Sequence, residues 1–208
     1  MLPNLEIEKK LTGIVVGVDE VGRGPIAGPV VAAAVIVDDA ALGWGINDSK
    51  KLSKTKREFL FKEITSKYSY SISVIDPATI DNINILQATL LAMREAISQI
   101  NHQYDNIIVD GNITPLKQPN CHAIIKGDTK SISIAAASIV AKVYRDRLMD
   151  ELSQLHPHYG WHKNVGYGTK DHFLAIEKHG FTLHHRRSFL TKYLQHDFND
   201  CLGRVNNS

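Results

Sequence analysis

Apolar residues along this chain fall into short continuous runs and longer periodic stretches, and their alternation predicts strands interleaved with helices. Residues 14–18 (IVVGV) are β-branched or glycine, which predicts a strand covered on both faces. Residues 29–37 (PVVAAAVIV) form a second apolar run, bounded by Gly28 and by Asp38 and Asp39, so the two predict an antiparallel pair joined by a glycine-rich turn. Residues 40–47 read as a loop anchored by Trp44. Ser53 then caps a helix whose Phe59, Leu60 and Ile64 point inward. In residues 68–75, Tyr70, Ile72 and Val74 alternate with serines, the pattern of a half-solvated third strand. Asp76 and Pro77 begin a helical turn, and residues 84–100 form an amphipathic helix with Ile85, Leu86, Leu90, Met93 and Ile97 as its apolar stripe. Residues 106–110 (NIIVD) and 120–126 (NCHAIIK) predict the fourth and fifth strands, with His122 in the core. Ser131 or Ser133 caps a long helix to about residue 152; its Ala135, Ala136 and Ala137 let it lie close on a sheet, and its N-terminus faces Asp128.

From residue 153 the pattern loosens into Pro157, Gly160, Gly166 and Gly168, followed by helices over 169–179 and from 188 to about 198. The chain therefore divides into an α/β core over 1–152, a mixed sheet flanked by helices, and a smaller C-terminal helical lobe over 153–208 packed on it. Residues 201–208 read as a frayed tail. A length of 208 residues with 43% hydrophobic content suffices for one sizeable core.

Charge changes the picture by its distribution, since the net value is only +2. Lys50, Lys51, Lys54, Lys56 and Arg57 crowd one stretch and His184, His185, Arg186 and Arg187 another, whereas acids fall singly or at strand ends. The histidine pair reads either as an aid to product release or as a surface cap. Cys121 and Cys201 have no zinc-like spacing, which suits free thiols in a reducing cytosol. No signal segment or membrane-length apolar run is visible, so a soluble cytoplasmic protein is expected.

The chemistry begins in residues 13–28 (GIVVGVDEVGRGPIAG), where an apolar run meets Asp19 and Glu20. A buried strand has no structural use for adjacent carboxylates, which repel and stay ionised beside a metal ion. The alternative is a strand that simply ends at a solvated acidic pair. Asp110 and Asp128 repeat the placement at the ends of strands four and five, where ligands gather in α/β sheets. Because successive strand residues face opposite ways, Asp19 and Glu20 share a site only if the backbone turns after them, which Gly22 and Gly24 permit. Four carboxylates without His or Cys make a hard oxygen site, suited to Mg²⁺ or Mn²⁺. Two such ions favour in-line phosphoryl displacement, which predicts a two-metal nuclease or phosphatase, with a structural acid cluster as the alternative.

A more specific signal comes from motifs in series: GVDEVGRGPIAGPVV (17–31), NDSKKLS (47–53), IIVDGN (107–112), KGDTKSISIAAASIVAKVYRD (126–146), GYGT (166–169) and HHRRSF (184–189). Together they resemble type 2 ribonuclease H, the ribonuclease HII family, from about residue 13 to 189. The resemblance implies a ribonuclease H-like mixed five-stranded sheet flanked by helices with a small C-terminal helical lobe. It also implies an endoribonuclease that hydrolyses the RNA strand of RNA/DNA hybrids. Such an enzyme cuts 5′ of single ribonucleotides in duplex DNA, leaving 3′-hydroxyl and 5′-phosphate ends. By resemblance the metal ligands are Asp19, Glu20, Asp110 and Asp128. Asp128 and the short N-terminal stretch favour type HII over HIII, which carries a glutamate there and an extra domain. Gly22, Arg23 and Gly24 would read the 2′-hydroxyl, and Tyr167 would bond it and stack on the next deoxyribose. Lys50, Lys51, Arg186 and Ser188 would contact phosphates. Arg145 and Asp146 could reach the site or form an ordinary ion pair, and they stay outside the catalytic set. A monomer is expected, and the tail carries no clear sliding-clamp motif. Two rival functions stay open, a resolvase- or transposase-like nuclease of the same fold and a non-catalytic nucleic-acid-binding module.

Overall fold

The computed structural model describes residues 2–191 and contains a five-stranded sheet in the order β3-β2-β1-β4-β5. Its strands are β1 (Val15–Val21), β2 (Val30–Val35), β3 (Tyr70–Ile75), β4 (Asn106–Asp110) and β5 (Cys121–Ile124). Strand β1 pairs antiparallel with β2 and parallel with β4; β2 to β3 is antiparallel and β4 to β5 parallel, so the sheet is mixed. Helix α1 is Lys54–Lys67, α2 Pro77–Ser98, α3 Ile132–Leu155, α4 Trp161–Asn164 and α5 Lys170–His179. Side-chain oxygens of Ser53, Asp76, Ser131 and Thr169 accept N–H groups of the first turns of α1, α2, α3 and α5.

Strand alternation sorts the core into two layers. Val31, Ala33 and Val35 of β2 pack with α1 and α3, while Val30, Ala32 and Ala34 pack with α2. Gly17 lets α3 cross β1 closely, since a Cβ there would stand 2.2 Å from the Ser133 carbonyl carbon. A third cluster joins Ile26 and Ala27 to Met149, Tyr159, Trp161, Ala175, Ile176 and Leu190. No helix among the described residues is long and apolar enough to cross a membrane.

Several local expectations are corrected. In β3 the serines face inward and Tyr70 and Val74 outward. Ser73 Oγ donates to Glu95 Oε2 at 2.7 Å and Ser71 Oγ to the Ala96 carbonyl, so the small hydroxyls fill a tight seam against α2. Phe59 is 52% exposed, because Leu60 and Ile64 already occupy the face of α1 turned to α3. On α2 the buried face is Ala88, Thr89, Ala92, Met93, Ala96 and Ile97, and Leu86 is exposed while Leu90 is half-buried. The helix breaks at Asn84 (φ 65°), whose Oδ1 caps the backbone N–H of Leu86 and Gln87, so the stripe is rotated from its expected setting. The stretch around Trp44 is a 3-10 helix at Asp39–Trp44, and His122 is half-buried. Arg187–Phe189 forms a 3-10 turn; the rest of the helix expected to 198, the tail and Cys201 lie outside the described residues.

Candidate active site

Asp19 and Glu20 lie inside β1 and not beyond its end, because the pairing with β2 continues through Asp19↔Ala33, Glu20↔Ala32 and Val21↔Val31. Alternation turns Asp19 toward α3, where the Ser138 hydroxyl favours its ionised form. Glu20 lines a small cavity on the α2 side with Thr89, Met93, Asp110 and Gly111. No sharp turn brings the two acids together; Asp110, at the end of the neighbouring parallel strand, sits close enough to act electrostatically on both. Asp110 Oδ1 accepts the Gly127 N–H at 2.6 Å, which ties β4 to the loop carrying Asp128.

In Asp19, Glu20 and Asp128 the largest cause of the shift is the same. Burial pushes Asp19 well above the ordinary carboxylate range, with Glu20 and then Asp110 adding to it and the Ser138 hydroxyl opposing it. Burial likewise raises Glu20, against the pull of Arg23, and Asp110 adds to the rise. Asp128 is raised by burial, then by Asp110 and Asp48, with Lys50 opposing. The cluster is short of positive charge, and a divalent cation is the group that would restore it.

Among the described residues, no three His, Cys, Asp or Glu side chains converge as a ready-made metal site. Neighbouring donors hold one oxygen of each of three acids apart: Glu20 N–H on Asp19 Oδ1 at 2.8 Å, Arg23 Nη1 on Glu20 Oε1 at 3.3 Å, and Gly127 N–H on Asp110 Oδ1. The donor chemistry fits Mg²⁺ or Mn²⁺, and side-chain rotation has to close the set.

Two buried arginines hold the turn that follows the acids. Arg145 of α3 donates Nε to the Pro29 carbonyl at 2.9 Å, Nη1 to Val165 at 3.0 Å and Nη2 to Ala27 at 3.2 Å. Arg186 donates Nε to the Gly28 carbonyl at 2.9 Å, Nη1 to Arg23 at 3.1 Å and Nη2 to Gly22 at 2.6 Å. Gly22 has φ +93°, and a Cβ on it would meet Arg145 Nε at 2.3 Å. The Gly166 carbonyl accepts the N–H groups of Ile26 and Ala27, which brings the 166–168 loop against the turn. Tyr167 is 50% exposed, and a Cβ on Gly24 would stand 3.4 Å from its Cε1.

The structure thus sets Asp110 within electrostatic reach of Asp19, Glu20 and Asp128, without three of them converging, and places Tyr167 against Gly24 in the turn that follows β1. Lys50 and Lys51 are exposed on a 3-10 turn at Ser49–Lys51, with Lys50 near enough to Asp128 to lower its pKa. Arg186 departs from the expected phosphate contact: it is fully buried beneath the turn, and its donors end on carbonyls. Ser188 is exposed, but its N–H (3.0 Å) and hydroxyl both bond Asp81 of α2, which draws it from the phosphate role too. Arg145 makes neither of the contacts weighed for it, and Asp146 pairs with Lys142 at 2.7 Å.

Ser49 and Ser138 were missed. Their hydroxyls lie 3.0 Å apart, and Ser138 lowers the pKa of Asp19 against its burial, so the two favour the ionised form of the first acid. The available signal was a serine on the apolar face of 135–140 (AAASIV), since a buried hydroxyl needs a partner. Replacing Ser138 by alanine is expected to raise the Mn²⁺ or Mg²⁺ concentration for half-maximal cleavage by about 10–100-fold, as loss of an outer-sphere partner does. Metal titration of the cleavage rate is the check, and an unchanged midpoint would remove Ser138 from this role.

The family model described as Ribonuclease HII matches residues 16–192. The Ribonuclease HII of Wolbachia pipientis subsp. Culex pipiens (strain wPip) is 52% identical over 188 residues, spanning 90% of this chain and 95% of the relative. The crystal structure of ribonuclease H2 from Pyrococcus horikoshii OT3 superposes with a TM-score of 0.72 at 28% identity, covering 84% of this chain and 93% of that one. The ribonuclease HII in the PCNA complex from Archaeoglobus fulgidus gives 0.68 at 26% identity, covering 83% and 93%.

Proposed function

This chain belongs to the ribonuclease HII family, hydrolases with endoribonuclease activity on RNA/DNA hybrids that depend on divalent metal ions, and from that premise we propose how its own residues perform the reaction. The enzyme cuts on the 5′ side of a single ribonucleotide embedded in duplex DNA as well as along the RNA strand of hybrids. The observation that supports this reading most is the continuity of one strand and turn: Asp19 and Glu20 sit a few residues before Gly22, Arg23 and Gly24, with Tyr167 packed against Gly24. Chemistry and sugar recognition share one short piece of backbone.

Asp19, Glu20, Asp110 and Asp128 would hold the divalent ions of a two-metal site, Mg²⁺ or Mn²⁺. When bound, such ions stabilise the charge on the attacking and leaving oxygens of an in-line displacement. The turn at Gly22, Arg23 and Gly24 approaches the ribose with bare backbone and reads the 2′-hydroxyl, which both donates and accepts. The Tyr167 hydroxyl bonds the same group while its ring covers the next deoxyribose. Lys50 and Lys51 position the duplex through phosphates without reading sequence. A water oxygen bonds to phosphorus as the bond to the 3′-oxygen of the upstream nucleotide breaks. One water proton ends on that oxygen, giving 3′-hydroxyl and 5′-phosphate ends.

The enzyme acts as a monomer in the cytoplasm, with the 1–152 core and the 153–208 lobe working as one unit. A sliding clamp is a second partner to test, because the Archaeoglobus fulgidus relative was solved with PCNA. The decisive assay uses a labelled DNA duplex with one internal ribonucleotide beside an all-DNA control, with Mg²⁺, Mn²⁺ or chelator. Metal-dependent cutting 5′ of the ribonucleotide is expected. Cleavage of the all-DNA control would favour a resolvase-like nuclease, and binding without products a non-catalytic module.

A further inference from the structure

Behind Tyr167 lies a pair of buried histidines. His172 of α5 places Nδ1 2.9 Å from the Tyr167 carbonyl. A carbonyl only accepts, so Nδ1 carries the proton and Nε2 is an acceptor. That acceptor receives Trp161 Nε1–H at 3.0 Å. His185 Nε2 stands 3.2 Å from the same atom and therefore carries its own proton. His185 Nδ1 is then the acceptor for the Thr182 N–H and hydroxyl, each at 3.0 Å. Every nitrogen in the pair has one role, and an extra proton would set N–H against N–H.

The far end of the pair reaches the turn. His185 bridges backbone to backbone with Ala27, and the next residue, Arg186, holds the carbonyls of Gly22, Arg23 and Gly28. The rings packed around His185 are Tyr159, Trp161, His172 and Phe181, and His184 and His156 face it electrostatically. Burial first, and His172 second, push the His185 pKa down to about 4, and burial lowers His172 too, so the pair is neutral near pH 7.

We propose that His172 is a specificity-determining positioning residue whose Nδ1–H, fixed as a donor by the tautomer lock with His185, keeps Tyr167 in register with the turn at Gly22, Arg23 and Gly24. The proposal rests on reading Tyr167 as the sensor of the RNA-to-DNA junction. Neither histidine touches the reacting atoms. The pair sets the ratio of activity on a single ribonucleotide to activity on a uniform hybrid, where sensing a junction matters less.

Two variants of the same buried position separate this role from plain stability. His172→Asn puts an amide N–H where Nδ1 stands and keeps the donor to Tyr167, whereas His172→Gln places its amide toward Trp161 and His185 and drops that donor. Full-length variants are compared by kcat/KM on a duplex with one ribonucleotide and on a uniform RNA/DNA hybrid, with Tyr167→Ala in parallel. The Asn variant is expected to keep the wild-type ratio and the Gln variant to lose about tenfold, one charge-free hydrogen bond of the stronger kind. Equal ratios for the two, or equal losses, would overturn the pair's role while a lowered ratio in Tyr167→Ala left the sensor reading standing. An unchanged ratio in Tyr167→Ala would overturn the sensor reading and the proposal with it. Imidazole ¹⁵N spectra of the wild type give an independent test: Nδ1–H on His172 and Nε2–H on His185 are expected, and the opposite tautomers would overturn the lock.

Discussion

Asp19→Asn is expected to abolish cleavage and at the same time to raise the melting temperature of the metal-free protein. The activity loss should reach at least about 10³-fold, the rate equivalent of the several kcal/mol that metal ions supply to a phosphoryl-transfer transition state. The gain in stability follows from the sign of the Asp19 shift. Its folded-state pKa is raised, chiefly by burial and then by Glu20, so the folded protein holds the proton more tightly than the unfolded chain does. As pH climbs from the ordinary carboxylate range toward the raised value, the folded state progressively loses stability. Asparagine keeps the shape and removes the charge. Each kcal/mol recovered is worth about 2–4 °C in a protein of this size. Added Mn²⁺ should stabilise the wild type and leave the variant nearly unmoved, since only a state that binds the ion gains from it. Wild-type activity in Asp19→Asn, or a melting temperature below that of the wild type without metal, would sink the assignment.

Arg186→Ala is expected to destabilise the protein by on the order of 3–5 kcal/mol, because it strands three carbonyls of the turn that the guanidinium now satisfies. Burial, with Arg145 next, lowers the Arg186 pKa to about 9, which still leaves it charged at neutral pH. The carbonyl oxygens of Gly22, Arg23 and Gly28 offset that buried charge, and in return the cation holds the turn's shape. Arg186→Lys should recover only part of the loss, since an ammonium lacks the planar fork that reaches three separate acceptors. Denaturant unfolding measures both variants, and a fall in midpoint at constant slope is the expected form. If Arg186→Ala unfolds like the wild type but binds duplex more weakly, the residue is a phosphate contact after all.

These effects separate what could be read along the chain from what could not. The acids stood out because a β-branched run that ends in carboxylates at the edge of a core has no packing reason to do so. The caps at Ser53, Ser131 and Thr169 were readable because a cap satisfies N–H groups within three residues of itself. Even β1 was readable in kind, although its antiparallel pairing carries Asp19 and Glu20 inside the strand.

Which face of an element is buried was less accessible. The serines of β3 and the leucines of α2 follow the neighbours they meet, and those are set by the β2–β3 register and the break at Asn84. Local apolar periodicity assigned Leu86 and Phe59 to the interior, yet Ala88, Ala92 and Leu60 hold the contact surface. Small residues win where two elements approach closely, and a periodicity of side-chain polarity carries no information on that distance.

The sequence by itself determined the order of strands and helices, the starts of α1, α3 and α5, and the presence of candidate acids in β1, at the end of β4 and in the loop after β5, all of which depend on residues near one another in the chain. Tertiary structure alone decided the work of the buried cations and imidazoles. Arg186 bonds Gly22 across 164 positions, Arg145 bonds Ala27 across 118, and His172 takes its tautomer from a carbonyl, an indole and a second imidazole. A polar side chain has no fixed role until its partner is known, and here the partners arrive only when the sheet, α3 and the 166–186 segment close around one turn.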